Sequence, residues 1–322
     1  MKRIKLTILT MGLLMAIQPF AQAQTDWSSV DFTKEYKGNF KIGGASAKSL
    51  KNNKTFVAGY NVHQATVMKG SESSATKSVF SEVSLGGLSN ETYQQMVDNL
   101  YKQLMQELDA AGLQTTEGED VLATDYAKSQ AAKEKKDIYI GSTGEQTSYE
   151  SKAPAIGGGI AGYQVLFVKR DISFQPRNKN IYMTSNIITS GNFYQKLCTK
   201  ENYNLLLFDF KVTFAYFDGG KGYKDVKLAT KPAMAITVTV SLITPNGAFN
   251  KVYYSKLPVW GNEGWSEGIN KTKDNKNDSE LLGLARSADY EITANSNKYI
   301  TEVSAIISNL QKDIVKHIKE QL

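Results

Sequence analysis

The side chains best suited to covalent or metal chemistry are few here: His63, His317 and Cys198. Neither histidine sits in a cluster of Cys, Asp or Glu, and such clusters are what specify a metal site. No metal ion is therefore expected. A Ser-His-Asp arrangement is recognised by geometry and not by order, so two histidines leave it open. The chain has no Gly-x-Ser-x-Gly elbow, however, and no residue is nominated as a nucleophile. Cys198 lies in "GNFYQKLCTK", where Phe193, Leu197 and Cys198 could share one helix face. That pattern favours a small buried hydrophobe over a reactive thiol.

Two glycine-rich stretches invite a phosphate-loop reading. "GGGIAG" (157–162) lacks Gly-Lys-Ser/Thr and precedes a strand, so no helix amino terminus stands behind its amides. "DGGKGYK" (218–224) fails in the same way between two strands. Both read as connections, and no cofactor is implied. Asp209 and Lys211 share the polar face of a strand. They could form an acid–base pair, but a solvated face with cross-strand pairing to Thr237 and Thr239 is the simpler reading. The most suggestive cluster is "VYYSKLPVWGNEGWSEG", which gathers Tyr253, Tyr254, Trp260 and Trp265 near a strand end. Aromatic residues on a loop can anchor a protein partner or stack on a sugar ring. They can equally fold back into the core.

The elements that must carry these residues are legible from periodicity. "TFVAGYNVHQATV" alternates, with Phe56, Ala58, Tyr60 and Val62 predicted on one face of a strand. "VFSEVSL" is a second short apolar run. Tyr93, Met96, Val97, Leu100, Leu104 and Leu108 form one stripe of a helix capped by Ser89 or Asn90 and stopped at Gly112. "LQTT" predicts a short strand, Asp120 the cap of a helix to about Lys135, and "DIYIG" another strand. Residues 141–162 are polar and glycine-rich; "GYQVLFVKRDISF" is a strand and "SGNFYQKLCTKENYN" a short helix.

The clearest strand signals follow. "NLLLFDFKVTFAYFD" places Leu206, Phe208, Phe210, Val212, Phe214 and Tyr216 on one face. "AMAITVTVSLIT" does the same with Met234, Ile236, Val238, Val240 and Leu242. One apolar and one polar face suits an antiparallel sheet covered by helices on a single side. "PNG" turns the chain into "AFNKVYYSKL", and "INKTKDNKND" reads as a loop. Ile300, Val303, Ile307, Leu310, Ile314 and Ile318 stripe a closing helix.

The chain begins with a positive Lys2, Arg3, Lys5 region, a largely apolar Leu6–Phe20 and small residues at Ala21 and Ala23. This is the pattern of a secretory signal peptide cleaved after Ala23, and the apolar run is short for a membrane span. No cysteine follows for lipid attachment. Of the formal charge of +6, three positive charges lie in residues 1–23, leaving +3 for the remainder. That is too weak a bias to argue for nucleic acid. The organisation expected is a signal peptide over 1–23, a flexible arm over 24–53 and a single α+β domain over 54–322. Its architecture is a two-layer sandwich, a mixed or antiparallel sheet with helices on one face.

The order strand, long helix, short strand, helix, antiparallel strands with "TPNG", closing helix resembles the periplasmic fold of the curli secretion protein CsgG and the TolB amino-terminal domain. Periplasmic activators of penicillin-binding proteins share it. "LMQELDAAGLQ", "TTEGEDVLATDYAKSQ" and "MAITVTVSLITPNGAF" carry the likeness. It is closer to a little-characterised group of exported proteins with that core, through "SKAPAIGGGIAGYQVLFV" and "LLLFDFKVTFAYFD". The resemblance covers roughly 55–322 and implies no catalytic residue. It implies a non-enzymatic exported protein, periplasmic or associated with the outer membrane, that binds or helps assemble an envelope component. The partner expected is an envelope protein or glycan, with Tyr253, Tyr254, Trp260 and Trp265 as the candidate contacts. A homo-oligomeric scaffold and an envelope hydrolase are the alternatives.

Overall fold

The computed structural model of the chain describes residues 24–43, 50–51, 53–73, 78–131, 138–141, 147–151, 155–168, 173–176, 184–221, 226–246, 249–275 and 287–321. The expected signal peptide lies outside these residues. A single 3-10 turn at Trp27–Ser29 precedes α1 (Phe32–Glu35) and β1 (Phe40–Ile42). Then come β2 (Thr55–Ser73), β3 (Ser78–Gly86), α2 (Asn90–Ala110), β4 (Thr115–Thr116), α3 (Gly118–Leu122) and α4 (Asp125–Ala131). The middle holds β5 (Ile138–Gly141), β6 (Thr147–Glu150), β7 (Ile160–Phe167), β8 (Ser173–Pro176) and α5 (Thr184–Glu201). The last part holds β9 (Asn204–Lys221), β10 (Val226–Ile243), β11 (Phe249–Ser255), β12 (Val259–Trp260), β13 (Ser266–Asn275), β14 (Ser287–Ala294) and α6 (Ser296–Gln321).

The fold is α+β, built on a mixed sheet that does not close. The strand order is β1-β11-β10-β9-β2-β3-β14-β13, with β4, β6, β7 and β12 added beside this path. The β9–β10 hairpin is antiparallel, whereas β2 runs parallel to β9 and β3 parallel to β14. The main core lies between the sheet and the apolar stripes of α2 and α6, whose predicted residues are almost all buried. Ser89 caps α2 by accepting from the Thr92 amide at 3.2 Å, and Gly112 ends it at φ +91°. Each Leu or Ile of these stripes contributes roughly 1.5–3 kcal/mol by leaving water.

A second, smaller core covers the other face of the sheet at one end. There Phe56, Ala58, Leu205 and Ile243 meet Val121, Tyr126, Phe193, Leu197 and Cys198 from α3, α4 and α5. Helices thus occupy both faces at that end, and the single-sided layer expected from the strand pattern describes only the remainder. The cause is in β2. Its pairing with β9 shifts register between Val57 and Gly59, and such a shift exchanges the two faces of a strand. Phe56 and Ala58 therefore enter the small core, while Tyr60 and Val62 enter the main one. They do not share a face as the simple alternation predicts.

Other expectations are corrected in the same way. Residues 24–43 are not a loose arm: Trp27, Phe32 and Phe40 are buried in the main core. Trp27 Nε1 donates to Glu302 Oε1 at 2.6 Å, and Asn309 Nδ2 donates to the carbonyls of Trp27 and Val30. Asp120 is not a helix cap but lies inside the first turn of α3, accepting from Thr116 Oγ1 at 3.0 Å. The helix expected to reach Lys135 is divided into α3 and α4, and residues 132–137 lie outside those described. The lysine-rich stretch after Trp265 is largely strand β13, paired with β14 on the sheet edge. A second β-bulge follows Pro232, which has no amide to donate. Near it Ala215 and Phe217 join Phe214 in the main core, and Tyr216 does not.

Candidate functional site

The four aromatic residues singled out by sequence are divided by the sheet. Tyr253 and Trp265 are core residues, 1 % and 3 % exposed. Tyr253 packs on Phe40, with ring centroids 5.1 Å apart, and Trp265 meets Tyr299 edge-on at 5.0 Å. The other two remain accessible. Trp260 is 42 % exposed and lies edge-on to Tyr216 at 5.9 Å. Tyr254, sent the opposite way from Tyr253 by strand alternation, is half-buried. Lys251 Nζ is 5.7 Å and Lys41 Nζ 6.0 Å from its ring centroid. Tyr253 and Trp265 therefore leave the candidate contact set; Tyr254 and Trp260 stay in it.

These two residues mark the ends of an open polar face. Tyr254 is opposite Thr239 and Trp260 opposite Ala235, both on β10. The two positions are four residue steps apart on the strand, about 13 Å at about 3.3 Å per residue. Between them the face carries Thr237, paired with Lys211 of β9, and on the rung of Tyr254 Thr239 pairs with Asp209, as expected from sequence.

Parallel pairing of β2 with β9 adds residues that no local pattern could place there. Asn61 lies opposite Asp209 and His63 opposite Lys211. Asn61 Nδ2 donates to Asp209 Oδ1 at 2.8 Å, and His63 Nε2 is 3.4 Å from the same oxygen. Burial pushes the His63 pKa down, Asp209 opposes this by hydrogen bond and charge, and the Lys211 charge adds to the lowering. The imidazole is thus neutral at neutral pH. Because an ionised carboxylate only accepts, the proton facing Asp209 belongs to Nε2. His63 is only 2 % exposed, so it steadies the more accessible Asp209 and is itself shielded from a ligand. Lys211 is exposed, its ammonium 6.0 Å from the ring centroid of Tyr163.

The remaining candidates resolve simply. Gly157, Gly158 and Gly159 all have positive φ, and three of their backbone polar groups fasten the loop to the fold. Gly159 O accepts from Ala155 N, Gly158 N donates to Ala155 O, and Gly157 O accepts from Phe217 N. The loop is wedged between strands, where a Cβ on Gly157 or Gly159 would collide with the Ala215 or Lys69 carbonyl oxygen. Asp218–Lys221 extends β9, while residues 222–224 lie outside those described. Cys198 is buried, with its thiol 3.7 Å from the Ile243 carbonyl and its pKa pushed up to about 12 by burial. Among the described residues no group of three His, Cys, Asp or Glu could hold a metal ion, and no helix is long and apolar enough to cross a membrane. No family model, curated protein or solved structure matches the chain.

Proposed function

We propose that this is a non-enzymatic exported protein of the periplasm that binds or helps assemble a cell-envelope component, using the open face between Tyr254 and Trp260. The observation that carries the reading is the exposure of Trp260, when Trp27 and Trp265 are both turned into the core. An exposed tryptophan backed by a second ring is a common anchor of binding surfaces. The amino-terminal sequence pattern supports export, and the resemblance to the CsgG and TolB amino-terminal fold supports a role in the envelope.

Photo-crosslinking in cells from position 260 tests this. An adduct formed from position 260, and absent from a control probe at the exposed Lys102 of α2, is the expected result. Equal labelling from both positions, or none from 260, would remove the open face from consideration.

A hydrolase is the second reading, and the His63–Asp209 contact is the observation in its favour. It predicts a turnover on envelope polymers that Asp209→Asn abolishes and Trp260→Ala leaves intact. The burial of His63 weighs against it, because a general base must reach the proton it removes.

A further inference from the structure

We propose that the ligand of the open face is an acidic glycan, a chain in which sugars bearing a carboxylate or phosphate alternate with neutral ones. The anionic group is held by the ammonium groups of Lys41 and Lys251 beside Tyr254, and a neutral ring further along stacks on Trp260. This rests on the binding role assigned to the face above and names the class of ligand.

Charge supplies the first argument. Lys41 and Lys251 reach the same tyrosine ring from adjacent strands, and both are exposed. Among the described residues neither ammonium is held by a carboxylate. Two ammonium groups within about 6 Å of one ring concentrate positive charge at this end of the face, and an anion received there offsets it. The negative face of the tyrosine ring draws both cations to this end, and the anion is met by the ammonium groups and not by the ring.

Spacing supplies the second argument. Trp260 lies about 13 Å away along β10 by the strand rise of about 3.3 Å per residue, too far for one small anion to touch both ends. The rung of Tyr254 also carries Thr239 and Asp209, whose carboxylate Asn61 fixes in place, and the interval beyond it holds Thr237 and the exposed Lys211. Hydroxyls and an oriented carboxylate match the hydroxyls of a sugar. The same carboxylate opposes a polymer charged at every unit, such as a nucleic acid. The face thus asks for a negative group at the Lys41–Lys251 end, sugar hydroxyls beside Asp209, Thr239 and Thr237, and an apolar ring face at the tryptophan end.

The test is binding of the purified protein to an array holding hyaluronate, sialylated glycans and phosphorylated mannan beside neutral dextran and mannan. The proposal expects retention on acidic members. Retention should weaken at least about tenfold in the Lys41→Gln/Lys251→Gln double variant and, separately, in Trp260→Ala, the size of loss associated with an interface anchor. It should also weaken in raised salt. All three side chains are exposed, and an unchanged urea midpoint verifies the fold of each variant. No acidic glycan retained, equal retention of neutral ones, or retention unmoved by the lysine changes would overturn the proposal. A silent array together with a protein adduct from position 260 in cells rejects the glycan and keeps the binding face. Silence in both rejects the two together.

Discussion

His63 Nε2 lies 3.4 Å from Asp209 Oδ1, although 146 positions separate the two residues in the chain. The contact exists because β2 and β9 run parallel and in register, and Asn61 reaches the same oxygen from two positions away. It places a buried neutral imidazole beneath an accessible carboxylate.

The pH dependence of stability follows from the direction of that shift. In the unfolded chain His63 takes up a proton near its ordinary value of 6.5, whereas burial lowers the value in the folded state. The unfolded state therefore binds more protons between those two values. Stability contributed by His63 should be complete above about pH 6.5 and should fall as pH drops toward the lowered value. Urea midpoints measured across this range should decline toward acid, and part of the slope should vanish in His63→Gln. His317, also pushed down by partial burial with Glu320 opposing, contributes in the same direction. His317→Gln must therefore be measured beside it. A slope identical in wild type and His63→Gln would place the dependence elsewhere.

The two tryptophans of the aromatic cluster should behave oppositely. Trp265→Ala empties a core position against Tyr299 and should cost about 3–5 kcal/mol. Trp260→Ala gives up one edge-on contact at the surface and should cost about 1 kcal/mol or less. Equilibrium urea unfolding reads both, and comparable losses would mean that Trp260 is covered in solution.

Glycine substitutions separate a helix stop from a wedge. Gly112 has φ +91° and open space where a Cβ would stand, so Gly112→Ala should cost roughly 1–2 kcal/mol for the left-handed backbone alone. Gly159 has φ +68°, and a Cβ there would collide with the Lys69 carbonyl oxygen. Gly159→Ala should exceed the first by about 1–3 kcal/mol as β7 is forced from β2. Thermal midpoints in the same buffer decide the order.

Cys198 should be inert while the protein is folded. Its thiol is buried and its pKa raised to about 12, so thiolate is scarce and a reagent has no access. Labelling by a maleimide should track the unfolded fraction across a urea titration. Fast labelling in native buffer would show that α5 opens locally from Leu205 and Ile243.

Local patterns suffice where a single element determines its own surroundings. The α2 stripe, the Ser89 cap and the Gly112 stop each depend on residues within a few positions of one another. The apolar faces of β9 and β10 are legible from Leu206 to Phe214 and from Met234 to Leu242 for the same reason. Anything set by register is not. The shift at Val57 and Gly59 is decided by the partner strand, and it alone parts Ala58 from Tyr60. Strand β13 is hidden because a sheet edge needs no apolar alternation and tolerates lysine, as at Lys271. The candidate face is half legible. Asp209, Lys211, Tyr254 and Trp260 stand out as residues, but their assembly with Asn61, His63, Lys41 and Lys251 requires the pairing of β2 with β9 and of β1 with β11.

The anchoring of Trp27 has a consequence for the order of events in making this molecule. Its indole finds Glu302 across 275 positions of chain, and the carbonyls of Trp27 and Val30 find Asn309 across 282 and 279. Both receiving residues belong to α6, the final helix. Synthesis delivers the first of these partners long before the second, so residues 24–32 wait without a dock while nearly all of the chain emerges. Contacts between such distant positions form slowly, because the intervening loop must close before they repay its entropy. The seal on the main core is therefore a last step, and a chain cut short before α6 exposes Trp27 and Phe32 together as a ready signal of incompleteness.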